Sequence, residues 1–126
     1  MAVQERSVLL IEPDEGVRTA LTSMFRNMGW QVWAFACGER FEDEIKLHHP
    51  AVVISESALP DLAADSVLKT SRSHQIPVIF LGHGREVQQA VDLMREGAAD
   101  FLEKPFPQSR LIKLMEHITN PPAGLQ

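Results

Sequence analysis

The chain has 126 residues, 44% of them hydrophobic and 23% charged, with a net charge of −5. That length suits one domain with one core, and the composition excludes a disordered segment. A pI near 5.5 leaves no basic stripe to neutralise phosphates, which excludes direct nucleic-acid binding by this chain.

Taken in order, short β-branched runs alternate with stretches of helical period. SVLLIE (7–12) reads as a strand, and EGVRTALTSMFRNMG (15–29) as a helix whose stripe is Val17, Leu21, Met24, Phe25 and Met28, with Gly29 as the stop. WQVWAF (30–35) is the second strand, GERFEDEIKLHH (38–49) the second helix and AVVIS (51–55) the third strand. ADSVLKTSRSH (64–74), IPVIFL (76–81) and REVQQAVDLMREG (85–97) continue the alternation as helix, strand and helix; ADFLE (99–103) and PQSRLIKLMEHIT (107–119) close it.

The runs VLLI, AVVI and PVIFL are apolar without alternation, as strands covered on both faces require. Five strands alternating with five helices predict an α/β fold, an open parallel sheet doubly wound by helices. In such sheets functional residues lie just past the carboxyl ends of the strands. That rule selects Glu12, Glu56, Gly82 and Lys104, the last followed at once by Pro105.

Other signals are weaker. The lone Cys37 has no internal disulfide partner, and neither a secretory signal nor an apolar run of about 18 residues occurs, so a reducing cytoplasm is expected, with no membrane contact. The five histidines lack zinc-ligand spacing, so no metal site is expected. Ser55 and Ser57 bracket Glu56 without a base to make either a nucleophile, and no Gly-rich nucleotide loop or Ser/His/Asp set occurs; the chain is not expected to be an enzyme. Trp30 and Trp33 flank the second strand, one able to pack on the first helix and the other a candidate contact residue. Residues 120–126, NPPAGLQ, read as a tail or the start of a linker after a domain spanning 1–119.

Four segments, VLLIEPDEGVR, PAVVISESALP, PVIFLGHG and GAADFLEKPF, occur in this order. With them the chain resembles the receiver domain of two-component response regulators, from about Ser7 to Ile118. From Pro77 to Phe106 the wording is most similar to the receivers of nitrogen-regulation and nitrogen-fixation transcription factors. The resemblance implies a flavodoxin-like fold with strand order 2-1-3-4-5. It also implies a lysine, Lys104, that reaches over the pocket toward the phosphoacceptor position, and a cis Lys104–Pro105 bond.

The chain departs from the family's pattern at the chemistry. Receivers carry two adjacent acids after the first strand; here Glu12 is followed by Pro13, which offers no side-chain ligand, so Mg²⁺ binding is expected to be weak or absent. Asp14 adds an acid to the pocket region but stands at a helix start, where a carboxylate caps backbone amides. The phosphoacceptor position holds Glu56 instead of aspartate, which displaces the carboxylate along the line of phosphoryl transfer. Three readings of Glu56 stand: a solvated acid, a structural clamp with Lys104, or a standing imitation of the phosphorylated state. Gly82 takes the place of the hydroxyl-bearing switch residue, and the switch aromatic is Phe101, equally well explained as core filling. Asp61 and Asp65 replace glycines near Pro60 and add negative charge or simply a solvated loop.

These losses imply an atypical receiver, or pseudo-receiver, that signals by protein contact and regulates transcription through an attached output domain. The helix 4–strand 5–helix 5 face, roughly 86–119, is the implied surface for a homodimer or a protein partner. Two rivals remain: a stand-alone adaptor that binds a kinase or another regulator, and a residual acceptor slowly phosphorylated on Glu56 or Asp61.

Overall fold

A computed structural model describes residues 4–119. Ten elements alternate along the chain: β1 (Gln4–Ile11), α1 (Glu15–Asn27), β2 (Gln31–Phe35), α2 (Phe41–His48), β3 (Pro50–Glu56), α3 (Ala64–Ser73), β4 (Val78–Gly82), α4 (Val87–Arg95), β5 (Asp100–Glu103) and α5 (Gln108–Thr119). The sheet runs β2-β1-β3-β4-β5 with every pairing parallel. This is the expected flavodoxin-like order. The expected tail or linker at 120–126 lies outside the described residues.

Side chains on a strand alternate between its two faces, so an unbroken apolar run feeds two cores at once. Val8, Leu10, Val52, Ile54, Ile79 and Leu81 pack toward Leu21 and Phe25 of α1 and Leu111 and Met115 of α5. Leu9, Ile11, Val53, Val78 and Phe80 pack toward Phe41 and Ile45 of α2, Val67 and Leu68 of α3, and Leu93 of α4. Trp30 is buried, with its ring 6.0 Å from that of Phe25 in α1, whereas Trp33 is only partly covered and stacks on His48.

Several boundaries differ from the sequence reading, each for a local reason. β1 begins at Gln4, not Ser7, because Gln4 pairs with Pro50 ahead of a register shift. It ends at Ile11, and the next amide, that of Glu12, donates to Phe35 O at 2.9 Å. The second helix was expected from Gly38, but α2 starts at Phe41. Gly38 is held as a loop: its amide donates to Asp61 Oδ1 at 3.0 Å and its carbonyl accepts from Phe41 N. α4 starts at Val87, not Arg85, and no side chain caps it; the Glu86 carboxylate is engaged elsewhere.

At its far end α4 is tied down. The Arg72 guanidinium, from α3, donates to the carbonyl of Glu96. Beside it Gly97 adopts φ +110°, where a Cβ would run into that guanidinium, so glycine is needed both for the backbone region and for the space.

Candidate functional site

The carboxyl ends of β1, β3, β4 and β5 converge on one small cluster. Glu12 follows β1 and is 1% exposed; its Oε2 accepts from Asp14 N at 3.0 Å, and its carbonyl accepts from Arg18 Nη1 at 2.8 Å. Asp14 faces away, into the start of α1, where its Oδ1 accepts from Val17 N at 3.0 Å as a helix N-cap. Glu56 ends β3, and its Oε2 accepts from the next amide, Ser57 N, at 2.8 Å.

Lys104 follows β5. Its amide donates to Gly82 O at 2.7 Å, and its bond to Pro105 is cis. The ammonium reaches back over the strand ends to stand 2.5 Å from Glu12 Oε1 and 3.3 Å from Glu56 Oε1. The side chains of Lys104, Glu12 and Glu56 are only 12%, 1% and 8% exposed. The three charges are therefore largely out of water, where unpaired ions would be costly and mutual attraction is strong. His83, exposed on the β4–α4 loop, brings its Nε2 to 3.9 Å from the same Glu56 oxygen.

Gly82, the last residue of β4, is fully enclosed. A Cβ there would lie 2.5 Å from Phe101 Cζ and 2.6 Å from Ser57 Oγ, so the space that a side chain would need is taken. Phe101 is half-buried against the α2–α4 side of the sheet. The Ser57 hydroxyl, besides filling that space, donates to Glu86 Oε2 at 3.0 Å.

The structure thus brings Glu12, Glu56 and Lys104 into direct contact, places Gly82 and Phe101 beside them, and turns Asp14 to capping. Sequence reasoning weighed Ser57 only as a nucleophile and missed its bond to Glu86, 29 positions away. It also missed the bond from the Gly38 amide to Asp61 Oδ1, which ties the β2–α2 loop to the β3–α3 loop. A serine directly after the acidic strand end was the one available signal.

Residues 8–116 match the model of the response regulator receiver domain family. The chain belongs to that family. Curated relatives of this receiver domain include the transcriptional regulatory protein FixJ of Bradyrhizobium diazoefficiens, 33% identical over 112 residues, covering 86% of this chain and 54% of that protein. The phosphoglycerate transport system transcriptional regulatory protein PgtA of Salmonella typhimurium is 31% identical, covering 92% of this chain and 28% of that protein. The cell cycle transcriptional regulator CtrA of Caulobacter vibrioides is 30% identical, covering 83% and 46%. The receiver domain therefore spans about half, or less, of the length of these relatives. Among solved structures, a receiver domain protein from Clostridium thermocellum superposes with a TM-score of 0.85 over 95% of this chain and 98% of that one, at 19% identity, a likeness of fold. FixJ-N superposes with a TM-score of 0.80 at 28% identity over 92% of this chain and 94% of that one.

The Mg²⁺ ion that the family implies finds a poor donor set in this receiver domain. Pro13 supplies no ligand, and each of the four oxygens of Glu12 and Glu56 already faces the Lys104 ammonium or a backbone amide. Mg²⁺ demands near-ideal octahedral oxygen geometry. Among the described residues no group of three His, Cys, Asp or Glu could hold a metal ion, and no helix is long and apolar enough to cross a membrane.

Proposed function

We propose that this receiver domain is a pseudo-receiver: it works without phosphorylation, transmits a signal by protein contact in the cytoplasm, and regulates transcription through an output domain joined to it. The observation that carries the reading is the Lys104 ammonium lodged between Glu12 and Glu56, at 2.5 and 3.3 Å. The protein's own cation occupies the place where a divalent ion would need those carboxylates, so Mg²⁺ binds weakly or not at all. Of the three readings of Glu56, the clamp with Lys104 is the one this contact supports. Gly82 offers no hydroxyl, and Glu56 sets its carboxylate one methylene beyond aspartate, against the geometric demands of in-line transfer.

The contact surface in this reading is the face formed by α4, β5 and α5. On α4, Val87, Val91 and Met94 are exposed large apolar side chains, at 68%, 38% and 43%, and such groups close together mark contact sites for a second copy or a protein partner. The net charge of −5 argues against nucleic acid as that partner. No catalytic role is assigned to the chain. The relatives include regulators of phosphoglycerate transport and of the cell cycle, so they do not narrow the domain to nitrogen-regulation receivers.

The test is an amide NMR spectrum of the domain titrated with Mg²⁺ and then beryllofluoride, an imitation of the aspartyl phosphate. The expected result is an unchanged spectrum. Shifts around Glu12, Glu56, Gly82 and Lys104 that spread into α4 would overturn the reading, and a phosphoryl adduct on Glu56 or Asp61 after acetyl phosphate treatment would replace it with slow phosphotransfer.

A further inference from the structure

We infer that Ser57 is a positioning residue that couples the Glu12–Lys104–Glu56 cluster to the first turn of α4, through the hydrogen bond from its hydroxyl to Glu86. The inference rests on the reading of α4 as a contact face. Its physical basis is the uneven way in which α4 is held. The buried side chain of the helix is Leu93, in its second half, and just beyond it Arg72 bonds the carbonyl of Glu96. The amino end has no side-chain cap and no acid in its first turn, and Val87 there stands 68% exposed. What reaches that end from the sheet is Ser57 Oγ, donating to Glu86 Oε2 at 3.0 Å.

Ser57 is also bound at its other side to the charged cluster. Its single amide hydrogen is shared between Leu81 O and Glu56 Oε2, both at 2.8 Å. One residue, 3% exposed, therefore touches the acid at the end of β3, the end of β4 and the start of α4. The bare Gly82 makes this possible, because any side chain there would need the space the Ser57 hydroxyl fills. A change in where the Glu56 carboxylate points redistributes the Ser57 amide bond, and the hydroxyl on the same residue carries that change to Glu86.

The prediction is read by amide hydrogen exchange in the intact chain. Ser57→Ala and Glu86→Ala should each speed exchange of the amides at 90–93, the first that bond within the helix, by about three- to tenfold, the range for loss of one hydrogen bond. The double variant should exchange no faster than either single one, and Glu86→Gln, which keeps an acceptor oxygen, should restore near-normal protection. Glu56→Gln should shift the α4 amide resonances in the unsubstituted background and leave them in place in Ser57→Ala. Unchanged exchange in Ser57→Ala, additive effects in the double variant, or an α4 response to Glu56→Gln that persists without the hydroxyl would each overturn the inference. A response to beryllofluoride in the unsubstituted domain would instead sink the phosphorylation-independent reading and leave these exchange results standing.

Discussion

The ends of β1, β3 and β5 and the end of β4 lie side by side and are built on opposite principles. Around Glu12, Glu56 and Lys104 long charged side chains close on one another with almost no water access. At Gly82 there is no side chain, and neighbours from β5 and from the residue after β3 lean into the gap. The first region is held by charge and is costly to disturb; the second is held by shape and leaves α4, with its exposed valines, lightly attached.

Removing the lysine tests the charged half most severely. Lys104→Ala leaves two buried carboxylates without their shared cation, and the stability measured by urea denaturation should fall by about 3–5 kcal/mol. A loss below about 1 kcal/mol would mean that water reaches the cluster and that the contrast is false. The shape-held half is probed by Gly82→Ala, whose methyl would meet Phe101 and Ser57 Oγ at 2.5 and 2.6 Å. Overpacking of this kind should cost about 1–3 kcal/mol, and trimming the ring in Gly82→Ala/Phe101→Leu should return part of it. If the single substitution is neutral in thermal melts, the gap is not filled as described.

Asp14→Ala sharpens the comparison by showing that not every acid near the site belongs to it. Losing the cap at Val17 N should cost about 1 kcal/mol and leave the resonance of the Lys104 side chain where it was. The smallest stability effect belongs to the outer helix. Val87→Ser with Val91→Ser should each change unfolding free energy by at most about 0.5 kcal/mol, while self-association or partner capture, followed by sedimentation, drops clearly. Equal association with and without the valines would remove α4 from the contact surface.

Much of this fold was legible in the sequence, because unalternating apolar runs such as VLLI and PVIFL, short, rich in branched residues and set between helical stretches, fit strands covered on both faces. The rule that function gathers at strand ends selected Glu12, Glu56, Gly82 and Lys104 on topology alone. Their contact geometry was less legible: that Lys104 approaches Glu12 more closely than Glu56 depends on how two loops and the turn at Pro105 are shaped. The pairing of Ser57 with Glu86, and of Gly38 with Asp61, was not legible for the same reason, since each pair joins two loops far apart in sequence and leaves no periodic trace. The late start of α2 accords with the loop bond at Gly38, itself a poor helix former, and α4 begins after Glu86, whose backbone is non-helical.

The grip of Arg72 on the Glu96 carbonyl gives α4 a fulcrum. Were the Ser57–Glu86 bond at the other end released, a rod held at this anchor would tilt rather than slide, with displacement growing with distance from the anchor. With a rise of about 1.5 Å per residue, Val87 sits at the tip of the lever, Val91 midway and Met94 close to the pivot. A partner that grasps Met94 would hold the helix whatever its angle, whereas one that grasps Val87 would measure that angle.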